Sequence, residues 1–592
     1  LITKAANAVA FVLLALMALL AMTSVRDDSA TSDELAHIPA GYSYVTQHDY
    51  RLNPEHPPLV KDLAGLMLLP MGIEFPTENR AWTDAVNTPW PIGVHLLYAS
   101  GADVDTLLWR ARLPIIFIML LLGYYVYRWA REFVGKKAAL FALFLYVLSP
   151  SVLAHGRLVT TDVAVAAGFF ITCYHLMCYL KNPTWRNLTV AGIVFGLAQL
   201  AKFSAFILVP YMVLIFFLAA WVRAPFHRAS PSDPLDADAS WGRTEAAVSM
   251  GIIMGIGYAV VGLVYLFHVW DYPSTLQAKH AHALMVGTGF GAIGKVPEWL
   301  ASIPMVRAYG PYLVGFIMAL ARTSGGTPTY FLGDVSRSGW WYYFPVVYLI
   351  KEPLALHLLS LIAFLFLGSR VYVALRLKNP KTHLVDVLRP HLVEAAMIGF
   401  VILYWIVSIH SRLNIGIRHI LPTFPFLYAL ISKYMSGLWD YLNEKKRVAL
   451  LYVYGLGVTG LLLWYMVASF MTWPSYIAYF NELAGGPDQG YKYVVDSNLD
   501  WGQDLKRLSL WVQQQGIEKI KVAYFGGDTA VRYYLGPAFE PLRRDAGPQT
   551  GWIAVSATLY QTVREPGASF AWLDSYRPVA KIGYSIFVYK IE

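Results

Sequence analysis

Asp33 and Glu34 stand side by side, directly after an apolar run that ends near Val25, in the segment Ser32-Asp33-Glu34-Leu35-Ala36-His37. A carboxylate at such a place can take a proton from an attacking hydroxyl. The same three polar residues also suit a helix N-cap followed by an acidic first turn, and spacing alone leaves both readings open. Farther along, Asn53-Pro54-Glu55-His56-Pro57-Pro58-Leu59 places an acid and an imidazole before two prolines, which stop regular helix and fix an extended turn. Arg157, Asp162, Lys202, Lys351, His410, Arg412, Arg418 and His419 all fall at the ends of later apolar runs. Ionisable groups at membrane depth are costly and line a cavity or pair with one another. Carboxylates gathered with several cations suit a reaction in which a phosphate departs. That leaving group is a weak base, so it needs charge stabilisation more than a general acid.

The elements that must carry these residues are membrane helices. The chain is 57% hydrophobic and 14% charged, and its mean hydropathy is +0.46, which excludes an ordinary soluble globular protein. Its net charge of +9 is scattered over the ends of apolar runs instead of forming a basic stripe, which argues against nucleic acid as a partner. Cys173 and Cys178 lie in one apolar run at a spacing that fits neither a metal site nor a disulfide.

About eleven transmembrane helices are expected from runs long enough to cross the hydrocarbon layer. They lie near residues 5–25, 112–130, 138–154, 161–180, 188–201, 203–221, 246–269, 343–367, 393–409, 416–436 and 448–470. The first run is longer than a signal-peptide core and is expected to be a retained helix. Basic residues set the orientation. With the N-terminus in the cytoplasm, the inner loops hold Arg131, Lys136 and Lys137, then Lys181 and Arg186, then Arg223, Arg228 and Arg243. Arg370, Arg376, Lys378, Lys381 and Arg389 follow, and finally Lys445, Lys446 and Arg447. The outer side then receives the loops 26–111 and 270–342 and everything after residue 470, and the candidate residues above collect on that one face. The cluster Trp340-Trp341-Tyr342-Tyr343-Phe344 fits an interfacial belt. The stretch 222–245, with Pro225, Pro231, Asp233, Pro234, Asp236 and Asp238, fits a solvated cytoplasmic loop.

Two domains are expected: a membrane domain over 1–470 and an extracytoplasmic α/β domain over 471–592. In the second, Lys519–Phe525 and Trp552–Ser556 fit strands and Leu505–Gln515 fits a helix. It also holds the polar run Asp496-Ser497-Asn498-Leu499-Asp500-Trp501-Gly502-Gln503-Asp504, which could be a capping-rich turn or a contact for an acceptor. A charged outward pocket could serve a lipid or glycan transporter or an enzyme. Internal repeats and midplane sites, which mark many transporters, are not evident in the sequence, so the enzyme reading leads. No phosphate-cradling glycine loop is present, so a lipid-linked phosphate is the substrate class that fits.

Asp33-Glu34, Glu55 through Leu59, Arg157 through Asp162, Gly196 through Lys202 and Arg418-His419-Ile420-Leu421-Pro422 together resemble the polyprenyl-phosphate-dependent class C glycosyltransferases. The likeness is to the bacterial group related to protein O-mannosyltransferases and to the aminoarabinose transferase of lipid A, and it covers about residues 5–470. The resemblance implies inverting transfer of a sugar from a polyprenyl-phosphate donor to a hydroxyl of a protein, lipid A or another glycan. It also implies the outer face of a bacterial inner membrane. Asp33 would be the base, Glu34 would orient it or the acceptor, and Asp162 would assist. Arg157, Lys202, Lys351 and Arg418 would hold the lipid phosphate, with Glu55, His56 and His419 lining the substrate site. The aminoarabinose transferase has Glu-Lys where this chain has Glu55-His56, which leaves the phosphate role of His56 open. Some relatives hold a metal near the position of Glu55, so a divalent ion on Glu55, His280 and His282 is a further expectation.

Overall fold

The computed structural model describes residues 2–224, 240–286, 288–377, 384–545, 547–565 and 568–592. The prolines and acids expected between 225 and 239, Arg228 among them, lie outside the described residues, as do Lys378 and Lys381. The chain is an α-helical polytopic membrane protein with a small C-terminal sheet. Among the described residues eight helices are long and apolar enough to cross a bilayer: Lys4–Ser24, Val104–Phe133, Thr161–Lys181, Phe203–Trp221, Arg243–His268, Leu354–Val373, Arg389–His410 and Val448–Thr472.

The other three expected spans are helical but differ in form. The run near 138–154 is broken into Lys136–Val147 and Pro150–His155. Ser149 caps the second piece by accepting from the Val152 amide, and Pro150 sits at its first turn, where a missing N–H costs nothing. Near 188–201 the helix is Trp185–Ala201, shorter than a full crossing, and Lys202 follows in extended conformation. The span near 416–436 opens as a tight 3-10 segment, Ile417–Thr423, before the regular helix Phe424–Glu444. Likewise 343–367 is interrupted before Pro353, giving Tyr343–Lys351 and then Leu354–Leu377. In the aromatic cluster Trp341 is exposed, whereas Tyr343 and Phe344 are buried, so only part of it can face an interface.

Small residues let the helices approach. A Cβ on Gly196 would stand 2.6 Å from the Gly257 carbonyl oxygen, which locks Trp185–Ala201 against Arg243–His268. The region 26–111 is largely buried helix, with Glu34–Gln47, Leu59–Leu66 and Pro89–Tyr98 packed on the bundle. Backbones touch there too. A Cβ on Gly41 would lie 1.8 Å from the Lys61 carbonyl oxygen, and one on Gly93 would lie 1.9 Å from that of Leu35.

After the last span, short turns run to Asp504, and Tyr476, Val494, Leu499 and Trp501 enter the same core as the bundle. Helix Leu505–Gln514 follows. The sheet contains β1 Ile520–Ala523, β2 Phe539–Pro541, β3 Gly551–Ser556, β4 Ala580–Ile582 and β5 Ile586–Ile591, in the order β2-β1-β3-β5-β4. The β1 strand pairs in parallel with β2 and β3, and β5 pairs antiparallel with β3 and β4. A separate core of Leu505, Leu508, Val512, Ile520, Val522, Val531 and Val588 sits between helix and sheet.

Candidate active site

The two neighbouring carboxylates have opposite fates. Glu34 is wholly buried, and Arg112 from the helix Val104–Phe133 binds both its oxygens, at 2.8 and 2.7 Å. The Val159 amide at 3.0 Å and the Thr31 amide and hydroxyl at 3.0 and 3.1 Å complete its shell. Burial pushes the Glu34 carboxyl up, and the Arg112 guanidinium and the donated N–H bonds overcome that and hold it below the ordinary glutamate value. Glu34 therefore pins the start of its helix to the bundle. Asp33 occupies the N-cap position but makes no capping bond. Its Oδ2 instead accepts from Arg418 Nη1 at 2.8 Å, and its side chain keeps 30% of its surface exposed. Burial raises the Asp33 carboxyl, and the charge and hydrogen bond of Arg418 more than reverse it, leaving the group below the usual aspartate value and ionised.

Arg418 Nη1 also reaches Asp162 Oδ2 at 3.2 Å, and Lys202 Nζ lies 2.6 Å from Asp162 Oδ1. Cations and carboxylates thus alternate through Lys202, Asp162, Arg418 and Asp33. The helix breaks noted above make this possible: Arg418 lies in the 3-10 segment, Lys202 in the extended link, and Asp162 in the first turn of Thr161–Lys181. His419, next to Arg418, stacks on Phe344 with centroids 6.4 Å apart.

Several expected ligands of the lipid phosphate are committed elsewhere. Arg157 is 1% exposed, pairs with Asp28 at 3.1 Å, and faces the Tyr476 ring. Lys351 is buried and donates to the carbonyls of Ile477 and Asn498, both at 2.7 Å, which ties it to the C-terminal segment. Glu55 accepts from Asn87 at 2.8 Å and from Arg322 at 2.9 Å. His56 lies edge-on to His37, with centroids 5.1 Å apart, and burial drives its imidazole far below the ordinary histidine value. His410 bonds the Ile406 carbonyl within its own helix, and Arg412 is exposed.

The expected metal set is not assembled. His280 is bonded to the Tyr272 hydroxyl at 2.7 Å and His282 to Glu298 at 3.1 Å, while Glu55 serves Arg322. Among the described residues no group of three or more histidine, cysteine, aspartate or glutamate side chains is arranged to hold a metal ion. The spacing of the two histidines puts them on different sides of the helix Ser274–Met285.

Other participants had weak or no sequence signals. His37 follows Asp33 by one helical turn, a spacing that puts them on one face. Its Nδ1 bonds the Val159 carbonyl at 2.9 Å, and burial lowers its imidazole below the ordinary histidine value, against the pull of Asp33. Lys61 fixes the Asn53–Pro58 turn by donating to the carbonyls of Asn53 and His56, both at 2.7 Å, and to the Tyr44 hydroxyl. Arg112 is the first residue of the expected span 112–130 and carried no separate signal. The run Asp496–Asp504 meets Arg418 directly, through Ser497 and Trp501.

Residues 90–229 match the family model described as dolichyl-phosphate-mannose-protein mannosyltransferase. No curated protein matches the chain. Among solved structures, the oligosaccharyltransferase of Archaeoglobus fulgidus in its apo form is 12% identical with a TM-score of 0.48, over 95% of this chain and 71% of that one. ArnT from Cupriavidus metallidurans bound to undecaprenyl phosphate is 13% identical with a TM-score of 0.42, over 98% of this chain and 97% of that one. The Pmt1-Pmt2 protein O-mannosyltransferase complex of S. cerevisiae is 15% identical with a TM-score of 0.33, over 45% of this chain and 34% of that one. The matched segment holds Arg112, Arg157, Asp162 and Lys202, and with it the chain is similar to the polyprenyl-phosphate-dependent membrane glycosyltransferases, the class its motifs resemble.

Proposed function

We propose that the protein transfers a sugar from a polyprenyl phosphate to an acceptor hydroxyl, with inversion, at the cluster centred on Arg418. The observation that carries this reading is the position of Arg418 Nη1 between Asp33 and Asp162, at 2.8 and 3.2 Å. It ties a part-exposed, ionised carboxylate to a cationic shelf. Asp33 Oδ1, which makes no hydrogen bond among the described residues, takes the proton of the attacking hydroxyl. The hydroxyl oxygen bonds the anomeric carbon as the carbon–oxygen bond to phosphate breaks, and the polyprenyl phosphate leaves with the electron pair. Arg418 and Lys202 balance the charge that grows on it. A single displacement with one base and no covalent intermediate inverts the anomeric centre.

Glu34 acts from behind, holding the backbone that presents Asp33. Asp162 keeps Lys202 and Arg418 together. In this reading the N-terminus lies in the cytoplasm, as the basic inner loops favour, and the cluster and C-terminal domain lie on the outer face of the plasma membrane of a bacterium, as the family resemblance implies. A protein, lipid A or another glycan supplies the hydroxyl.

Mass spectrometry of lipid-linked sugars and of glycoconjugates, in cells with and without the gene, tests the reading. An accumulated donor and a missing product are expected in its absence, and the loss must be restored by the parent chain and not by Asp33→Asn. Unchanged donor and product pools would overturn it.

A further inference from the structure

Arg418 is held from two directions. The bundle supplies Asp33 and Asp162 to Nη1, and the C-terminal segment supplies Ser497 and Trp501. Ser497 Oγ accepts from Arg418 Nε at 3.0 Å, and its own proton goes to the Ile415 carbonyl at 2.6 Å, which turns its lone pair toward the guanidinium. The Trp501 ring centre lies 4.1 Å from the guanidinium carbon. Trp501 is 1% exposed, and its carbonyl accepts from the Ser32 amide at 2.9 Å, so the ring is fixed relative to the neighbour of Asp33. Between them Asn498 Oδ1 accepts from the Ile417 amide at 3.0 Å, next to Arg418 in the chain, and Asn498 Nδ2 donates to Tyr343 at 3.1 Å. The approach is close: a Cβ on Gly416 would stand 2.4 Å from Ser497 Oγ.

A guanidinium is planar, and its nitrogens lie in a fixed fork. With Nε bonded and one face covered, its remaining rotation is removed, and Nη1 must fall where it bridges the two aspartates. Arg418 Nη2 has no hydrogen bond among the described residues. We propose that Ser497 and Trp501 are positioning residues for the transfer reaction. They hold the Arg418 guanidinium so that Nη1 bridges Asp33 and Asp162 while Nη2 stays open to the donor phosphate, which makes the C-terminal segment part of the active site. The proposal rests on the reading of Arg418 as a phosphate ligand and goes beyond it by naming what aims the ligand.

The test is binding of undecaprenyl phosphate to the purified full-length protein, with Tm recorded for each variant. Ser497→Ala and Trp501→Ala each weaken binding by about tenfold, the scale of one charged hydrogen bond or one desolvated cation–π contact. Ser497→Thr, which keeps a hydroxyl, and Trp501→Phe, which keeps a ring face, restore most of it. Should Trp501→Ala fail to fold, the serine pair carries the test. Parent-like binding in Ser497→Ala and Trp501→Ala overturns the proposal alone, as does a loss that follows Tm and is not restored by the conservative variants. A parent protein that does not bind undecaprenyl phosphate overturns the function reading, and this proposal falls with it.

Discussion

Glu34 and Arg112 meet in two parallel bonds of 2.8 and 2.7 Å, with Glu34 fully buried and Arg112 at 2% exposure. One residue away, Asp33 is free to face Arg418. The pair of carboxylates is therefore divided into a structural member and a chemical one, and the division can be tested.

Arg112→Met leaves a buried carboxylate without its counter-charge and costs about 3–5 kcal/mol. The checking measurement is the Tm of the detergent-solubilised protein. Asp33→Asn is expected to leave Tm nearly unchanged. Because the folded Glu34 value is depressed, its stabilisation is present above the ordinary glutamate value and disappears as pH falls through the depressed folded value. In a series of melts toward acid, Glu34→Gln should start from a lower Tm and show a shallower acid decline.

Asp33 is held below the ordinary aspartate value by Arg418 acting against burial. A base of that kind stays ionised through the usual carboxylate range, so kcat/KM should hold until the pH falls below it. Arg418→Gln removes the nearest cation, raises the Asp33 value, and moves the acid limb to higher pH. His37 and Asp162 also face Asp33, and so does Asp496 from the C-terminal segment. An acid limb unmoved by Arg418→Gln would sink the assignment of Asp33 as the base.

Lys351→Met is expected to damage docking of the C-terminal segment, because it strips the carbonyls of Ile477 and Asn498 of a charged donor. The cost is about 3 kcal/mol. Limited proteolysis should then cut after the last span at Thr472 in the variant and spare the parent. A variant that resists protease yet loses undecaprenyl phosphate binding would return Lys351 to the phosphate site.

Gly41→Ala tests whether the helix bearing the two carboxylates is placed by backbone contact. The new methyl would overlap the Lys61 carbonyl oxygen, at 1.8 Å. Both are backbone-defined positions, so relief requires the helices Glu34–Gln47 and Leu59–Leu66 to separate. Transfer should drop by at least tenfold, on the scale expected when catalytic groups shift by about 1 Å, and Tm should fall as well. Gly72→Ala, where nothing lies within reach of a Cβ but φ is +59°, should cost about 1 kcal/mol and leave transfer intact.

Hydropathy and helix-end charges made the bundle legible, because length and apolarity are local properties of a run. Asp33, Asp162, Lys202 and Arg418 were legible on the same ground: an ionisable residue at the end of an apolar run is conspicuous. Arg157 and Lys351 carried an identical signal yet serve Asp28 and two carbonyls. Nothing local separates a cation that faces a cavity from one that faces a buried partner. Pro150 and Pro353 lie inside the expected spans 138–154 and 343–367, so the helix breaks there were not read from the apolar runs.

By itself the sequence determined a membrane chain, its helices, and the set of residues at their ends from which a site could be built. Tertiary structure alone decided which members of that set form it. Asp33 and Arg418 lie 385 residues apart in the chain, and Arg418 and Ser497 come from separate parts of the fold. Their pairing depends on long-range packing and on which counter-charge reaches each group first, and neither is encoded in a window of neighbouring residues.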